Sequence, residues 1–339
     1  MIVRNEAAVI KRCLDSVKGL IDYWTIVDTG STDDTQEIIR QTMKGVPGKL
    51  YQKPWVDFAH NRTEAIKLAH STAEYLLLMD ADYELVQLEK LPKLTADIYM
   101  MSFEGAQDWR VPGLVKASKD WYYVGKAHEY LTCDLPHRRA ITDTLIYRNH
   151  GDGAGLNSRS RRNLELLLQD EMNDRTIFYL AQTYRELGET KLAIEYYDRH
   201  LAMGGWAEEL FYSAWMKALL LQDPALLLDA WQMRPNRAEP LFSLAQFYRL
   251  QGKHYLAYLF ATQGLQTPYP KADFLFIQRN IYEYELKFEW AIAAYNVGNF
   301  QGAYEMNQQL LKMQQLPENF RRQVLTNQAW CKQALEASQ

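Results

Sequence analysis

The sequence predicts an α/β domain with a mostly parallel sheet, followed by an all-α domain of helical repeats. Strand and helix patterns alternate over roughly the first 150 residues, and strand signals then disappear near residue 160. In the second half, two long segments align with each other at a fixed offset. We therefore predict two domains, residues 1–158 and residues 159–339.

Composition limits the class of protein. A chain of 339 residues with 47% apolar and 24% charged residues is typical of globular proteins and long enough for two cores. The net charge is −4 without a basic or acidic block, which does not indicate generic binding to nucleic acid or anionic membranes. Three distant cysteines and the lack of a long apolar run or signal peptide predict a cytoplasmic protein without a membrane span.

The N-terminal half alternates strands and helices in a regular order. An extended start at Ile2 and Val3 precedes the helical pattern "NEAAVIKRCLDSVKG", the strand "YWTIVD" and the capped helix "STDDTQEIIRQTM". A short strand near 50–52, the helix "NRTEAIKLAHS" and the strand "YLLLMD" follow. Such alternation favours right-handed crossovers, with ligands binding beyond the carboxyl ends of the strands. Asp28 and Asp80 stand at two of those ends.

The C-terminal half contains internal repeats. "IFYLAQTYRELGETKLAIEYY" aligns with "PLFSLAQFYRLQGKHYLAYLF" at an offset of 64 residues, close to twice the period of about 34 residues of tetratricopeptide repeats. "EWAIAAYNVGNFQGAYEM" repeats the pattern more weakly, and a divergent helix pair at about 208–231 would fill the gap. An unrelated helical bundle is the alternative interpretation.

The stretch "YLLLMDADYEL" places two acids, Asp80 and Asp82, on either side of Ala81. Alternation along an extended backbone would point both carboxylates to one face. Like charges that close oppose each other's ionisation unless a cation lies between them. The pattern indicates either an exposed strand end or a metal site.

Seven sequence features follow one another along the chain: "MIVRNE", "VDTGSTDDT", "FAHNR", "DAD", "VGKAHEYL", "NHGDG", and "FYLAQTY" with "GGWAEE". Taken in this order, they resemble the motifs of the family 2 glycosyltransferases of the GT-A type, in a branch with a tetratricopeptide tail. The resemblance covers nearly the whole chain and implies a Rossmann-like GT-A domain. It also implies transfer of a sugar, such as a hexose, from a nucleotide-diphosphate donor, here a UDP-sugar. Relatives carry a longer first strand, so either this strand is short or residues precede it.

For the metal, the resemblance makes Asp82 the direct ligand of Mn²⁺ or Mg²⁺. Asp80, with Ala81, lies nearer the ribose or a metal-bound water, and Asp80 is a second metal candidate. His150 matches a histidine that lies near the end of the GT-A domain in such enzymes and binds the same metal, and imidazole is a good ligand for Mn²⁺. The glycines after it, Gly151, Gly153 and Gly155, allow close approach to a phosphate.

For the rest of the donor, the resemblance implies that Asp28 accepts from a uracil-like base or from ribose. Arg4 and Asn5 would line the same edge. Arg62 can pair with a phosphate, although a surface arginine is nearly as good an interpretation. Relatives carry a lysine-rich stretch after the last motif, where this chain has Arg159, Arg161 and Arg162.

Inverting transfer requires a base that removes the proton of the acceptor hydroxyl. Glu129 is the candidate, because relatives carry His-Glu at this point and its apolar neighbours would raise its pKa. Asp108 is the reserve candidate, and a structural hydrogen bond is the alternative role for Glu129. Trp121, His128 and Tyr130 are candidates for binding the acceptor.

Other classes of function remain open at this level. One is a degenerate transferase domain that serves as a repeat-based protein-binding scaffold, and another is a nucleotidyltransferase. The latter normally has a glycine-rich phosphate loop, which "MIVRNEAAVIKR" does not provide. The acceptor could be a glycan, a lipid, a protein or a modified nucleobase, and the repeats could bind a protein partner or a second copy.

Overall fold

The computed structural model describes residues 1–104, 107–150 and 156–337. It divides into two compact units. The first is Met1–Gly105 with Trp109–Tyr196, and the second is Ala106–Asp108 with Tyr197–Gln339. Residues 159–196 are thus grouped with the first unit. The domain boundary between residues 158 and 159 stays a prediction.

The strands fall almost entirely in the N-terminal half. In chain order they are β1 Ile2–Val3, β2 Trp24–Asp28, β3 Gly48–Gln52, β4 Tyr75–Leu77, β5 Tyr83–Gln87, β6 Ile98–Ser102, β7 Gln107–Asp108, β8 Arg110–Lys116, β9 Tyr122–Val124, β10 Tyr130–Thr132, β11 Arg139–Ile141, β12 Leu145–Asn149 and β13 Ile277–Gln278. The order β1–β2–β3 forms a parallel sheet, with Val3 opposite Asp28 and Asp28 opposite Gln52. This sheet confirms the predicted α/β class.

A second sheet has the order β11–β6–β8–β4 and mixes strand directions. Strands β11 and β6 run parallel, whereas β8 is antiparallel to both β6 and β4. Strands β5 and β12 form an antiparallel pair, as do β9 and β10. The predicted strand "YLLLMD" ends at Leu77, so Asp80 and Asp82 lie in the turn before β5 rather than on one face of a strand.

Among the helices of the first unit, the first and third pack against strands, and the fourth and fifth pack against each other. The helices are α1 Ile10–Val17, α2 Thr35–Thr42, α3 Phe58–Ala69, α4 Leu156–Leu168 and α5 Asp174–Glu186. Helix α1 buries Ile10, Cys13, Leu14 and Val17, which recur at helical spacing. The Asp57 carboxylate caps α3 by accepting from the backbone N–H of His60, and this fixes the start of the helix that carries Arg62.

The C-terminal helices form consecutive pairs. They are α6 Thr190–Met203, α7 Ala207–Leu221, α8 Pro224–Met233, α9 Glu239–Leu250, α10 His254–Leu265, α11 Leu286–Asn296, α12 Phe300–Leu311 and α13 Glu318–Ala337, with a π-helical turn at Ile281–Glu285 before α11. Counted along the chain from α5, the pairs are α5–α6, α7–α8, α9–α10 and α11–α12. Gly188, Gly252 and Gly298 have positive φ values of 80°, 71° and 85° at the turns inside the first, third and fourth of these pairs. The predicted repeats are confirmed, and α7 and α8 supply the divergent pair.

Within the described part of the chain, no helix combines the length and apolarity needed to cross a membrane.

Candidate glycosyl-transfer site

The turns that follow β1 and β2 are joined by side chains of the predicted donor edge. Asn5, at φ 55°, accepts from the backbone N–H of Thr32 at 2.8 Å, and its own N–H donates to Ser31 Oγ at 3.0 Å. Asn5 thus holds two loops together at the carboxyl edge of the sheet. Arg4 beside it is exposed.

Asp28 ends β2 and is 1% exposed. One carboxylate oxygen, Oδ1, accepts from the backbone N–H groups of Gly30 and Ser31, both at 2.9 Å. The other, Oδ2, is buried without a hydrogen-bond partner among the described residues. A buried acceptor without a donor is costly, so this oxygen suits a ligand that brings an N–H or O–H group.

Arg62 joins two of the predicted motifs. Its guanidinium contacts Asp80 through Nη1–Oδ1 at 2.6 Å and Nη2–Oδ2 at 2.8 Å, while Nε lies 2.7 Å from Glu129 Oε1. The ring of Tyr123 lies 5.7 Å from the guanidinium carbon. The predicted phosphate-binding arginine is therefore paired with two carboxylates. Through these two contacts, one side chain joins the "DAD" motif to the "HEY" segment of "VGKAHEYL".

These charges set the protonation of the site. Burial would raise the pKa of Asp80, but Arg62 outweighs it and holds that pKa below its usual range. For Glu129, which is 12% exposed, burial prevails over Arg62 and raises the pKa. A carboxylate with a raised pKa is a better proton acceptor, which is the property expected of a general base.

Glu6 is a site residue that the sequence reasoning missed. Burial, together with the nearby carboxylates of Asp82, Asp80 and Asp33, raises its pKa to about 7. Its motif, "MIVRNE", was recognised, but no spacing in the sequence shows that the loop after β1 faces the turn after β4. The carboxylates of Glu6, Asp33, Asp80 and Asp82 thus lie near one another, and Arg162 opposes their effect on the pKa of Glu6.

A divalent cation at this site would need ligands from several of these side chains. Among the described side chains, no three His, Cys, Asp or Glu groups converge closely enough to hold a metal by themselves. His150 Nε2 lies 2.6 Å from Glu84 Oε2, because β12 pairs with β5 and places Asn149 opposite Tyr83. The neighbouring carboxylates of Asp82 and Glu6 fit the mode in which one or two carboxylates and the substrate phosphates share the ion. His150 as a ligand stays a prediction.

The predicted acceptor residues differ in exposure. Trp121 is 1% exposed and donates its indole N–H to the Lys116 carbonyl at 3.0 Å, so it is a core residue and its ring cannot stack on a sugar. His128 stacks on Tyr179 with ring centroids 4.1 Å apart. Tyr130 is 45% exposed and is open to an acceptor.

Several predicted residues take no side-chain part in the described geometry. Ala81 is 5% exposed, so only its backbone can meet a ligand. Asp108 lies in β7, whose backbone pairs with β13 inside the second unit, and its side chain lies outside the described residues. Gly151, Gly153 and Gly155 also lie outside them.

Residues 1–152 match the family model described as glycosyl transferase family 2. Over these residues the chain is thus similar to family 2 glycosyltransferase domains, and a helical region of the tetratricopeptide type follows, which confirms the resemblance seen in the sequence.

Two curated relatives are similar to this chain over more than half of its length. A TPR repeat-containing protein of Synechococcus elongatus is 29% identical over 307 residues, which cover 78% of this chain and 74% of that protein. The SPbeta prophage-derived glycosyltransferase SunS of Bacillus subtilis is 28% identical over 229 residues. That match covers 59% of this chain and only 52% of SunS, so the chain spans about half of that relative.

Among solved structures, a TPR protein of Thermus thermophilus covers 50% of the chain at 17% identity and a TM-score of 0.35, and the match spans 91% of that structure. Staphylococcus aureus TarS covers 68% of the chain at 13% identity, with a TM-score of 0.35, and the match spans 53% of that structure.

Proposed function

We propose that this protein transfers a sugar from a UDP-sugar to an acceptor hydroxyl, with a divalent metal and with inversion by direct displacement. The observation that carries the proposal is the Arg62 bridge. Its contacts of 2.6 Å to Asp80 and 2.7 Å to Glu129 bring a donor motif and a candidate base to one side chain. An acceptor beside Glu129 would then face a donor held at the turn after β4.

Each residue has a role in this proposal. Glu129 takes the proton of the acceptor hydroxyl while that oxygen bonds to the anomeric carbon, and the bonding electrons leave with the nucleoside diphosphate. Attack from the side opposite the leaving group inverts the anomeric centre. Asp28 Oδ2, a buried acceptor without a partner among the described residues, would receive a donor group of the base or ribose.

Asp82, with Asp80 close by, would hold Mn²⁺ or Mg²⁺ against the diphosphate, and the bound ion supplies neutralisation of the developing phosphate charge. Asn5 and Arg4 would border the nucleobase of the donor. Tyr130 offers an exposed ring for the acceptor. We further propose that the reaction takes place in the cytoplasm, which suits three cysteines that are all free. The helical repeats would bind a protein partner, a second copy or the acceptor itself.

The test is hydrolysis of a panel of UDP-sugars by the full chain with Mn²⁺ or Mg²⁺, with and without a chelator, together with calorimetry of UDP binding. We expect Asp82→Ala to abolish the metal-dependent part of binding, because it removes the carboxylate that faces the diphosphate. Asp120→Ala is the matched control, since that side chain is 99% exposed.

Equal affinity of the wild-type chain for UDP with and without metal would remove the metal from the proposal. If the chain neither bound UDP nor released it from any sugar, the degenerate scaffold would be the better description.

A further inference from the structure

The backbone next to Glu129 has positive φ angles, which residues other than glycine rarely adopt. Gly125 has φ 99°, which glycine tolerates, but His128 has φ 52°. A residue other than glycine in the left-handed region costs roughly 1–3 kcal/mol and persists only where its surroundings hold it. We call residues 125–130 the base loop, and its shape requires an external support.

Helix α5 supplies that support through one arginine. Arg175 donates from Nε at 3.3 Å and from Nη2 at 3.2 Å to the backbone carbonyl of His128. Its guanidinium also lies over two rings, 5.2 Å from Tyr130 and 4.9 Å from Tyr179. These contacts fix the residues on both sides of Glu129.

Two further contacts hold the neighbouring parts of the base loop. The His128 ring stacks on Tyr179 with an interplanar angle of 4°. At the start of the loop, the Lys126 N–H donates to Asp170 Oδ2 at 2.7 Å, and Lys126 Nζ donates to the Gln169 carbonyl at 2.7 Å. The base loop is therefore fastened to the segment that leads into α5 and to α5 itself.

The start of α5 is in turn fixed by its cap. Asn173 Oδ1 accepts from the Thr176 N–H at 2.9 Å, so Arg175 lies in a first turn that cannot fray freely. The residue spacing also suits the task, since Arg175 and Tyr179 are one helical turn apart on the same face.

We propose that Arg175 is a positioning residue that holds the base loop so that the Glu129 carboxylate meets the acceptor hydroxyl. This inference rests on the proposed function. It assigns the first helix of the repeat-like region a part in the transfer reaction itself, in addition to any binding of partners. Helix α5 lies in the first unit, as this role requires.

The first experiment does not depend on activity. Hydrogen–deuterium exchange is measured on the full chain for wild type, Arg175→Gln and Arg175→Lys. We expect Arg175→Gln to speed exchange of the amides at 126–132, because the carbonyl contact and the ring contacts are lost together. The control is Arg322→Gln, which removes a 74% exposed arginine from α13. Unchanged exchange at 126–132 would overturn the proposal.

The second experiment separates positioning from binding. With the UDP-sugar that wild type hydrolyses, we expect Arg175→Gln to lower kcat by about 10- to 100-fold, the loss typical of a misplaced catalytic group. KM and the affinity for UDP should stay within about twofold, because Arg175 does not face the donor. The kcat of Arg175→Lys should lie between those of wild type and Arg175→Gln, since lysine keeps the charge but lacks the paired donors of a guanidinium.

The outcomes distinguish this proposal from the proposed function. If Glu129→Gln abolishes turnover while Arg175→Gln keeps the wild-type kcat, only the positioning role fails. If Glu129→Gln keeps the wild-type rate, the assigned base fails and the positioning role for catalysis fails with it. The exchange result then shows whether Arg175 merely orders the loop.

Discussion

Each unit places an arginine between two carboxylates, and the two clusters differ in instructive ways. In the first unit, Arg62 is 20% exposed and pairs with Asp80 and Glu129. In the second, Arg237 is 0% exposed and pairs with Glu239 at 2.8 Å and with Asp273 at 3.3 Å. Both are buried ion networks, but they differ in the groups that surround the arginine.

The cluster of the second unit is internally satisfied. The Tyr282 hydroxyl donates to Glu239 at 2.7 Å, and Arg234 makes two contacts of 2.6 Å to Asp273. Glu208 accepts from the backbone N–H groups of Phe274 and Leu275 at 2.8 Å and 2.7 Å. These bonds fasten the segment after α10 to the helices, which is a structural role.

The cluster of the first unit gathers more carboxylates than Arg62 contacts. Burial raises the pKa of Glu129 in spite of Arg62, and burial, with the help of the nearby Asp82, Asp80 and Asp33, raises the pKa of Glu6 to about 7. Burial also raises the pKa of Glu208 in the second unit, so neither a buried arginine–carboxylate pair nor one raised pKa is a sign of function by itself. The gathering of several carboxylates around one arginine is the better sign, because a bound cation could balance them.

Glu129→Gln should have the largest effect on activity. Glutamine keeps the size of the side chain but cannot take the proton, so we expect the rate to fall by about 10² to 10⁴, or roughly 3–5 kcal/mol of barrier. Turnover of the accepted UDP-sugar and calorimetry of UDP binding measure the two quantities. Affinity for UDP should hardly change.

The control for this substitution is Glu74→Gln, which alters an exposed carboxylate. A rate within about threefold of wild type would mean that Glu129 is not the base. Equal losses of rate and donor affinity would instead make Glu129 part of the donor site.

Arg237→Ala should have the reverse effect, on stability alone. Removing one partner leaves Glu239 buried without its counter-charge, and such a loss costs roughly 3–5 kcal/mol of unfolding free energy. Urea unfolding measures it, while UDP binding by the folded fraction should remain. Arg322→Ala, on the exposed face of α13, should change stability by less than about 0.5 kcal/mol. If Arg237→Ala proved as mild as this control, the second cluster would not be a structural network.

The smallest expected effect concerns pH and His128. Burial, with a further contribution from Arg175, lowers the pKa of His128 to about 4, while the unfolded chain keeps the ordinary value of 6.5. The unfolded state therefore binds more protons between these values, so the contribution to stability is complete above about pH 6.5 and is lost as the pH falls toward 4.

Urea unfolding of wild type at pH 7 and pH 5 should show this loss. His128→Gln should reduce the difference between the two pH values, whereas His70→Gln, at a side chain 47% exposed, should leave it unchanged. If the pH dependence of His128→Gln matched that of wild type, the buried neutral imidazole would have no part in it.

Local sequence signals predicted most of the elements. The alternation of strands and helices is confirmed in β1–β2–β3 with α1 and α2. It could be predicted because each element buries one face, so that apolar residues recur in the sequence at the spacing of a strand or a helix. The strand before Asp80 was predicted too long, since an apolar run does not reveal where pairing stops. The antiparallel pairing of β8 with β4 and β6 was missed for a similar reason.

The site was predicted in part. "DAD" and "HEY" were found as separate motifs, and Arg62 was expected to meet a phosphate rather than to join them. Trp121 was assigned to the acceptor because an aromatic ring in a loop looks the same in sequence whether it faces solvent or core. Glu6 and Arg175 were missed, since each acts on residues that are distant along the chain.

The sequence by itself determined the two architectures, the helical repeats and the motifs that resemble those of family 2 glycosyltransferases. These follow from periodicity and from short motifs, which are local. Only the tertiary structure decided that Arg62 contacts both Asp80 and Glu129. It also decided that Glu6 lies close enough to the carboxylate of Asp80 for its pKa to change, and that Arg175 contacts the base loop. Charge interactions depend on distances in space, and a pKa changes only when folding removes water and brings such groups together.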